Sequence, residues 1–387
     1  MNFPLSRRVS DLQASDIRLM TRECERVVGI NLGQGLGDLP VPAPVRNGAF
    51  KAIAANRNSY SQSEGIADLR RAIAAKLLRD NGLEVDPDRE IIVTHGATGA
   101  FFAALTALLN PGDGILLPEP YYGYHLNTIR LCGLEPHFLT LREPAFELEE
   151  AALRAAVRPN TRAIVLCTPS NPSGKMLSDE EIRRVERVAA EHDLLVITDE
   201  IYEYITYDGR QHISPATVGS LRERTISIFG FSKTFSITGW RLGYAVAPEP
   251  LAAAINLVND LAYVCAPTPL QYGVLEGLQA SPEYFDQLRI IYQQKRDILC
   301  EGLAAAGIEP SVPSGAYYVL ADIGRFGYPN AKAGALSLLE QTGVAAVPGS
   351  AFYRSGKGEH LVRFCFAKDD AILREAVRRL RRFRPAD

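Results

Sequence analysis

A lysine stands in the middle of an apolar, glycine-rich run, IFGFSKTFSITGWRLGYAV, at residues 228–246. Lys233 is flanked by Ser232 and Thr234, and Arg241 follows eight residues later, beside the chain's only tryptophan, Trp240. Most lysines sit on exposed surface. An amine desolvated among apolar residues instead loses its proton near neutral pH and becomes a nucleophile. Lysine is also scarce, 8 of 42 basic residues against 34 arginines, which shades the choice toward the second role.

Three further segments carry polar groups. VTHGATGAF (93–101) leads small residues and Thr98 into a helix start. Free backbone N–H groups and the helix dipole suit an anion there. TPSNPSG (168–174) holds Asn171 between two prolines in an expected extended loop, with an amide able to donate to an oxygen. ITDEIYEY (197–204) places Asp199 directly after the apolar run LLVIT. A carboxylate at the mouth of a buried strand needs a partner: an arginine, a metal or a protonated ring nitrogen. No histidine lies at ligand spacing, so no metal is expected. Tyr202, at i+3, can point the same way. Taken singly, these segments also read as two ordinary turns and a buried ion pair.

The elements that must position these groups alternate between helix and strand. GIADLRRAIAAKLLRDNG puts Ile66, Leu69, Ile73 and Leu77 on one helical face and stops at Asn81-Gly82. EIIVTHGAT, GILLPEP, RAIVLCTPSNPSG, LLVITDEIY and TISIFGFSK read as strands. GATGAFFAALTALLNPGD and SDEEIRRVERVAAEHD read as helices, the second with a Ser178/Glu181 capping box. Uniformly apolar strands separated by helices predict an α/β fold with a mostly parallel sheet covered on both faces. Ligands of such sheets bind beyond the carboxyl ends of the strands, where every segment above lies. From about residue 280 the texture changes to two long helices flanking short strands at AYYVLAD and LVRFCFA, a smaller α+β domain that the stretch before Pro42 joins. The expected division is 46–275 for the large domain and 1–45 with 276–387 for the small one.

Composition narrows the function classes. The 387 residues are too many for one small core and fit two domains. A net charge of -3 gives no reason to expect a nucleic-acid partner. No run approaches a membrane span, and the first twenty residues lack the apolar core of a secretory signal. The six scattered cysteines read as free thiols of a cytoplasmic protein.

An anion-binding turn, an asparagine, an aspartate with a tyrosine, a lysine and an arginine are together what pyridoxal 5'-phosphate requires. Its aldehyde needs a lysine, its ring nitrogen a carboxylate, its ring oxygen hydroxyl or amide donors, and its phosphate a helix start and a cation. The chain resembles the class I/II aminotransferases of fold type I over nearly its whole length. INLGQGLGDLPVP, YSQSEGIADLRRAI, VTHGATGAF, LLPEPYYGYH, TPSNPSGKMLS, TDEIYEYITYDG, GFSKTFSITGWRLGY, PSGAYYVL, VAAVPGSAF and LVRFCFA follow in the family's order. NLGQG and CAPTPLQ look most like the kynurenine, glutamine and methionine branch.

The resemblance implies a pyridoxal-phosphate-dependent transferase with a seven-stranded sheet. Lys233 would carry the cofactor and move the proton during transamination. Asp199 would pair with the ring nitrogen, and Tyr202 and Asn171 with the ring oxygen. Gly96, Ala97 and Thr98 would hold the phosphate with Arg241, and less directly Ser232. Tyr122 would stack on the ring. Tyr60 would reach the phosphate of a neighbouring subunit, making the protein a homodimer with shared active sites. Arg363 would take the substrate α-carboxylate, helped by Asn171 and the backbone of Gly35. His125 and Tyr124 are undecided between the pocket and helix packing, and Trp240 reads as packing.

There are departures from the family pattern. Gly37 replaces a proline in the loop after Gly35, bordering the substrate. Gly230 replaces a phosphate-binding serine of some relatives. Residues 255–268 hold no lysine or arginine, whereas dicarboxylate-specific relatives keep a distal arginine there; an uncharged donor, aromatic or aliphatic, is therefore expected, with a 2-oxo acid as acceptor. The alternative on the same template is a lyase, cyclase or β/γ-substitution enzyme, distinguished by release of pyruvate, ammonia or a thiol. A metabolite-sensing regulator would be expected to carry a DNA-binding extension, and a non-catalytic dimer to lack Lys233, Asp199 or Arg363.

Overall fold

The computed structural model describes residues 6–10, 12, 15–279 and 281–386. Seven strands make the large sheet: β1 Ile91–His95, β2 Gly114–Glu119, β3 Glu135–Thr140, β4 Thr161–Cys167, β5 Leu195–Asp199, β6 Thr225–Gly230 and β7 Leu242–Val246. Their order is β1-β7-β6-β5-β4-β2-β3. All neighbours are parallel except β7, which runs antiparallel to both β1 and β6. The expected mostly parallel α/β sheet is thus present. Its uniform apolarity follows from burial on two sides. Ile115 and Leu117 of β2 enter one hydrophobic cluster with Val165 and Ile197, while Leu116 enters another with Ile164, Leu166 and Val196.

The helices that bear on the site are α1 Asp16–Arg26, α2 Gly96–Leu108, α3 Gly123–Leu131, α4 Asp179–Glu191, α5 Glu249–Tyr263, α6 Glu283–Ala305 and α7 Asp370–Leu380. The predicted capping box starts α4: Ser178 Oγ accepts from the Glu181 N–H at 3.3 Å and Glu181 Oε2 accepts from the Ser178 N–H at 2.9 Å. The predicted stop at Gly82 is a left-handed cap, φ +66°, after a wider turn at Leu77–Asn81.

A second, antiparallel sheet has the order β10-β11-β9-β8, with β8 Glu309–Ser311, β9 Tyr318–Asp322, β10 Val347–Pro348 and β11 Leu361–Cys365. Helices α6 and α7 pack against each other, closely enough that a Cβ on Gly302 would stand 2.3 Å from Val377. Near the start of the chain, Ile30–Asn31 pairs in parallel with Val344–Ala345. All six cysteines are free. Among the described residues no helix is long and apolar enough to cross a membrane.

The segment that follows β5 is braced from below by a buried polar network. Glu200, fully buried, accepts from Thr198 Oγ1 at 2.6 Å and Ser214 Oγ at 2.6 Å, and His212 Nε2 lies 2.7 Å away. Glu203 pairs with the buried Lys76 and accepts from Asn81 Nδ2 at 2.9 Å. Every buried carboxylate here has partners, as the cost of desolvating it demands.

Candidate active site

A cavity of about 880 Å³ opens at the carboxyl edge of the large sheet, against the second sheet. The antiparallel β7 explains how one edge collects so many groups. Its neighbours β1 and β6 end at this edge, but β7 begins here, so Arg241 stands beside His95 and Gly230. Lys233 and Arg241, eight residues apart, thereby reach one rim.

Lys233 lies on a single helical turn, Phe231–Thr234, that follows β6 without a loop. Its Nζ donates to the Gly35 carbonyl at 3.2 Å and stands 5.5 Å above the Tyr317 ring. Burial lowers the amine from its ordinary 10.5 to about 8; Arg241 and Arg363 push the same way, and Cys365 and Asp199 oppose them. The amine is therefore a nucleophile at mildly alkaline pH.

Asp199 ends β5 and is buried. Its Oδ1 accepts from the Ile201 N–H at 3.4 Å, and its Oδ2 faces His125 Nε2 at 3.0 Å. His125 is buried on α3, its ring 4.7 Å from Phe101 and edge-on to Tyr122 at 5.4 Å. The structure thus places His125 in the site. Tyr202 Oη donates to Tyr318 Oη at 3.1 Å, and burial pushes the Tyr318 phenol up to about 12.

Arg363 lies in β11 with 1% exposure. Its Nη1 donates to Asn171 Oδ1 at 2.8 Å and its Nη2 to the Gly33 carbonyl at 2.5 Å. The guanidinium stacks over Tyr318 at 4.4 Å and Phe352 at 4.9 Å. Its Nε has no partner, and no carboxylate pairs with it among the described residues. Asn171 sits in a tight turn rather than the expected extended loop, because Gly174, φ +67°, folds back to donate its N–H to Ser170 O at 2.9 Å.

At the start of α2, Gly96 takes φ +68°, and a Cβ there would lie 2.8 Å from Arg241 Nη2. A Cβ on Gly243 of β7 would lie 2.6 Å from the Ala97 nitrogen. Two missing side chains therefore let a helix start, a strand and a guanidinium meet. Arg241 adopts left-handed backbone, φ 54°, and donates to Thr238 O at 2.9 Å.

Gly35, Ala97, Thr98, Tyr122, Ser232 and Gly230 also border the cavity. Two expected residues do not. Gly96 lies behind the wall, against Arg241. Tyr60 is 81% exposed and away from the cavity of its own chain. Gly37 faces Tyr292, 3.1 Å from where a Cβ would be, while its neighbour Leu36 borders the cavity. Sequence reasoning missed Arg18, Arg22, Thr21 and Ile17 of α1 on the same wall; their helical spacing was a signal, but not the direction in which that face points.

A model of the class I and II aminotransferases matches residues 27–380. The chain belongs to this family. It is 35% identical to the aspartate/prephenate aminotransferase of Thermus thermophilus, covering 98% of each chain, and 35% identical to the methionine aminotransferase of Escherichia coli, covering 91% of each. The structure of N-succinyldiaminopimelate aminotransferase from Mycobacterium tuberculosis superposes with a TM-score of 0.94 at 35% identity, over 98% of this chain and 99% of that one. This aminotransferase accordingly depends on pyridoxal phosphate and acts on amino acids and 2-oxo acids. Its cavity fits that cofactor: it offers a desolvated amine, a buried carboxylate, a helix start with an arginine, and a guanidinium whose Nε is still unpaired.

Proposed function

We propose that this enzyme transfers the amino group of an L-amino acid with an uncharged, aromatic or aliphatic side chain to a 2-oxo acid by a ping-pong route. Arg363 carries the reading. A buried guanidinium with a free donor and no internal carboxylate is a site for a carboxylate brought by the substrate. Asn171 and the Gly33 carbonyl fix its orientation. Phe101, Tyr122, Tyr124, Ile17, Leu36 and Ile201 supply apolar wall for a side chain.

In this reading Lys233, Asp199, Tyr202 and Asn171 hold the cofactor's ring and aldehyde, and Ala97, Thr98, Ser232 and Arg241 its phosphate, with Gly96 giving Arg241 room. When bound, the cofactor supplies an electron sink for the charge left on the substrate's α-carbon. Lys233 Nζ, steadied by the Gly35 carbonyl, takes and returns the α-proton. Asp199 faces the ring-nitrogen end, held in place by His125.

Residues 46–275 act as the large domain, and 1–45 with 276–387 as the small one. The working form is a cytoplasmic homodimer. Leu261 is 90% exposed, and Leu257, one turn earlier on α5, is exposed with it, as are Phe50 and Ile53. Apolar side chains open to water on one subunit favour a second copy. Tyr60 then serves the neighbour's phosphate site.

The absorption spectrum of the cofactor-loaded protein, recorded with single amino acids, tests this. A bound-cofactor band that fades with an uncharged amino acid and returns with a 2-oxo acid is expected. Consumption of the amino acid with release of ammonia, pyruvate or a thiol would replace transfer by elimination or substitution. A protein that takes up no cofactor would remove the role given to Lys233.

A further inference from the structure

A second cavity, of about 440 Å³, opens where the Asn171 turn meets the second sheet, and it shares no lining residue with the first. One wall is the back of that turn, Ser173, Gly174 and Lys175; another is Ser311–Ser314, where β8 ends. Lys175, Arg184 and Arg210 border it against two carboxylates, Glu147 and Glu181, which leaves it positive. Both carboxylates are engaged. Glu181 takes Lys175 Nζ at 2.8 Å and the N–H groups of Leu148 and Ser178. Glu147 takes Arg184 Nη1 at 3.1 Å and also pairs with Arg142. Arg210 is exposed and forms no ion pair or side-chain hydrogen bond among the described residues. Its neighbour Asp208 is taken by both terminal nitrogens of Arg296, at 2.7 and 2.8 Å. Ser173 is buried, and its Oγ accepts the Lys175 N–H at 3.3 Å. Its own proton, like those of the Ser311 and Ser314 hydroxyls, goes to no group among the described residues. A guanidinium, an ammonium and three hydroxyls outnumber the acceptor sites of a planar carboxylate and suit a phosphate. Met176, Val312 and Pro313 add apolar wall for an organic body.

The same walls lead to Arg363. The Gly174 carbonyl accepts the N–H groups of Ser314 and Gly315, each at 2.9 Å, and a Cβ on Gly174 would stand 2.2 Å from Pro313. The turn pinned in this way is the one that offers Asn171 Oδ1 to Arg363 Nη1. Phe146, on a further wall, shares a hydrophobic cluster with Phe352, whose ring lies 4.9 Å from the same guanidinium. We propose that the second cavity is a regulatory site for a small phosphate monoester. Held by Arg210 and Lys175 on one side and by Ser311 and Ser314 on the other, the phosphate ties the Asn171 turn to the second sheet. It thereby tightens the grip of Arg363 on a substrate carboxylate. The coupling rests on the role given to Arg363 above; the site itself does not.

Calorimetry on the cofactor-loaded enzyme tests this, with inorganic phosphate as the probe and saturating butyrate to keep it off Arg363. One saturable binding event is expected, and Arg210→Glu should weaken it by about tenfold or more. Phosphate should in turn raise the affinity for butyrate by about fivefold or more, and Arg210→Glu should abolish that gain. No saturable phosphate binding, or equal phosphate affinity in Arg210→Glu and wild type, means an adventitious ion only and overturns the site. Arg210-dependent phosphate binding that leaves butyrate affinity unchanged, or lowers it, overturns the regulation. An enzyme that binds no butyrate at all fails the reading of Arg363 instead, and the phosphate titrations of the two proteins still decide the site.

Discussion

His125 Nε2 lies 3.0 Å from Asp199 Oδ2, with both side chains almost wholly buried. The carboxylate's other oxygen has only the longer 3.4 Å contact from the Ile201 N–H. Replacing His125 by Phe keeps the ring against Phe101 and removes the donor. Hydrogen bonds to charged groups contribute roughly 1.5–3 kcal/mol, so His125→Phe should lower kcat/KM by about tenfold or more. Asp199→Asn should cost more, about a hundredfold, because the charge itself goes. Steady-state kinetics of both variants check this; a full-speed His125→Phe enzyme would make the contact merely structural.

Lys233 gives a pH signature. Burial holds its native pKa near 8 against an ordinary 10.5. Between these values the unfolded chain binds more protons than the native one, so its contribution to stability rises with pH through that window. Below pH 8 the cofactor-free protein bears the whole cost of the desolvated ammonium. Cofactor-free Lys233→Met should therefore be more stable than wild type at pH 7, by up to about 3 kcal/mol, and the gap should close toward pH 10.5. Denaturant melts across that range measure it, and a gap constant with pH would contradict it.

Arg363 pits function against stability. Replacing a buried charge that lacks a carboxylate with an apolar residue of similar length removes a desolvation cost that no ion pair offsets. Arg363→Met should raise the melting temperature of the ligand-free protein while abolishing carboxylate binding. Arg363→Lys should raise KM for amino and 2-oxo acids alike, since the fork is lost. A lower melting temperature for the Met variant would mean that the links to Asn171 and Gly33 outweigh the cost of the charge.

Gly35 and Tyr318 are coupled by space. A Cβ on Gly35 would come within 1.9 Å of Tyr318 Oη and 2.9 Å of its Cζ. Gly35→Ala should displace the carbonyl that holds Lys233 and lower kcat/KM by about tenfold or more. Tyr318→Phe removes the closest atom, so the double variant should recover part of the loss. Additive penalties in the double-mutant cycle would refute the coupling.

What the sequence made legible was what local pattern dictates. Uniform apolar runs marked strands buried on two faces, and Asp199, Asn171 and Lys233 stood at or just beyond strand ends, where a ligand edge must lie. Arg241 fell into place although its strand is antiparallel, because it stands where that strand begins. His125 stayed undecided because its partner is 74 residues away and its own helix reads the same packed or catalytic. Arg18 and Arg22 were missed because amphipathic spacing defines a face, not what that face looks onto. The Asn171 loop was read as extended from its prolines, while the turn depends on Gly174.

Arg363 touches Gly33 across 330 residues of chain and Asn171 across 192. A ribosome adding about 5–20 residues per second leaves the Gly33 loop waiting roughly 15–65 seconds for that arginine to be made. Meanwhile the nascent polypeptide already displays the lysine and the aspartate. In the role proposed for Arg363, the grip on substrate arrives only when β11 has been made and meets the Gly33 loop, so the site stays silent on the ribosome until then.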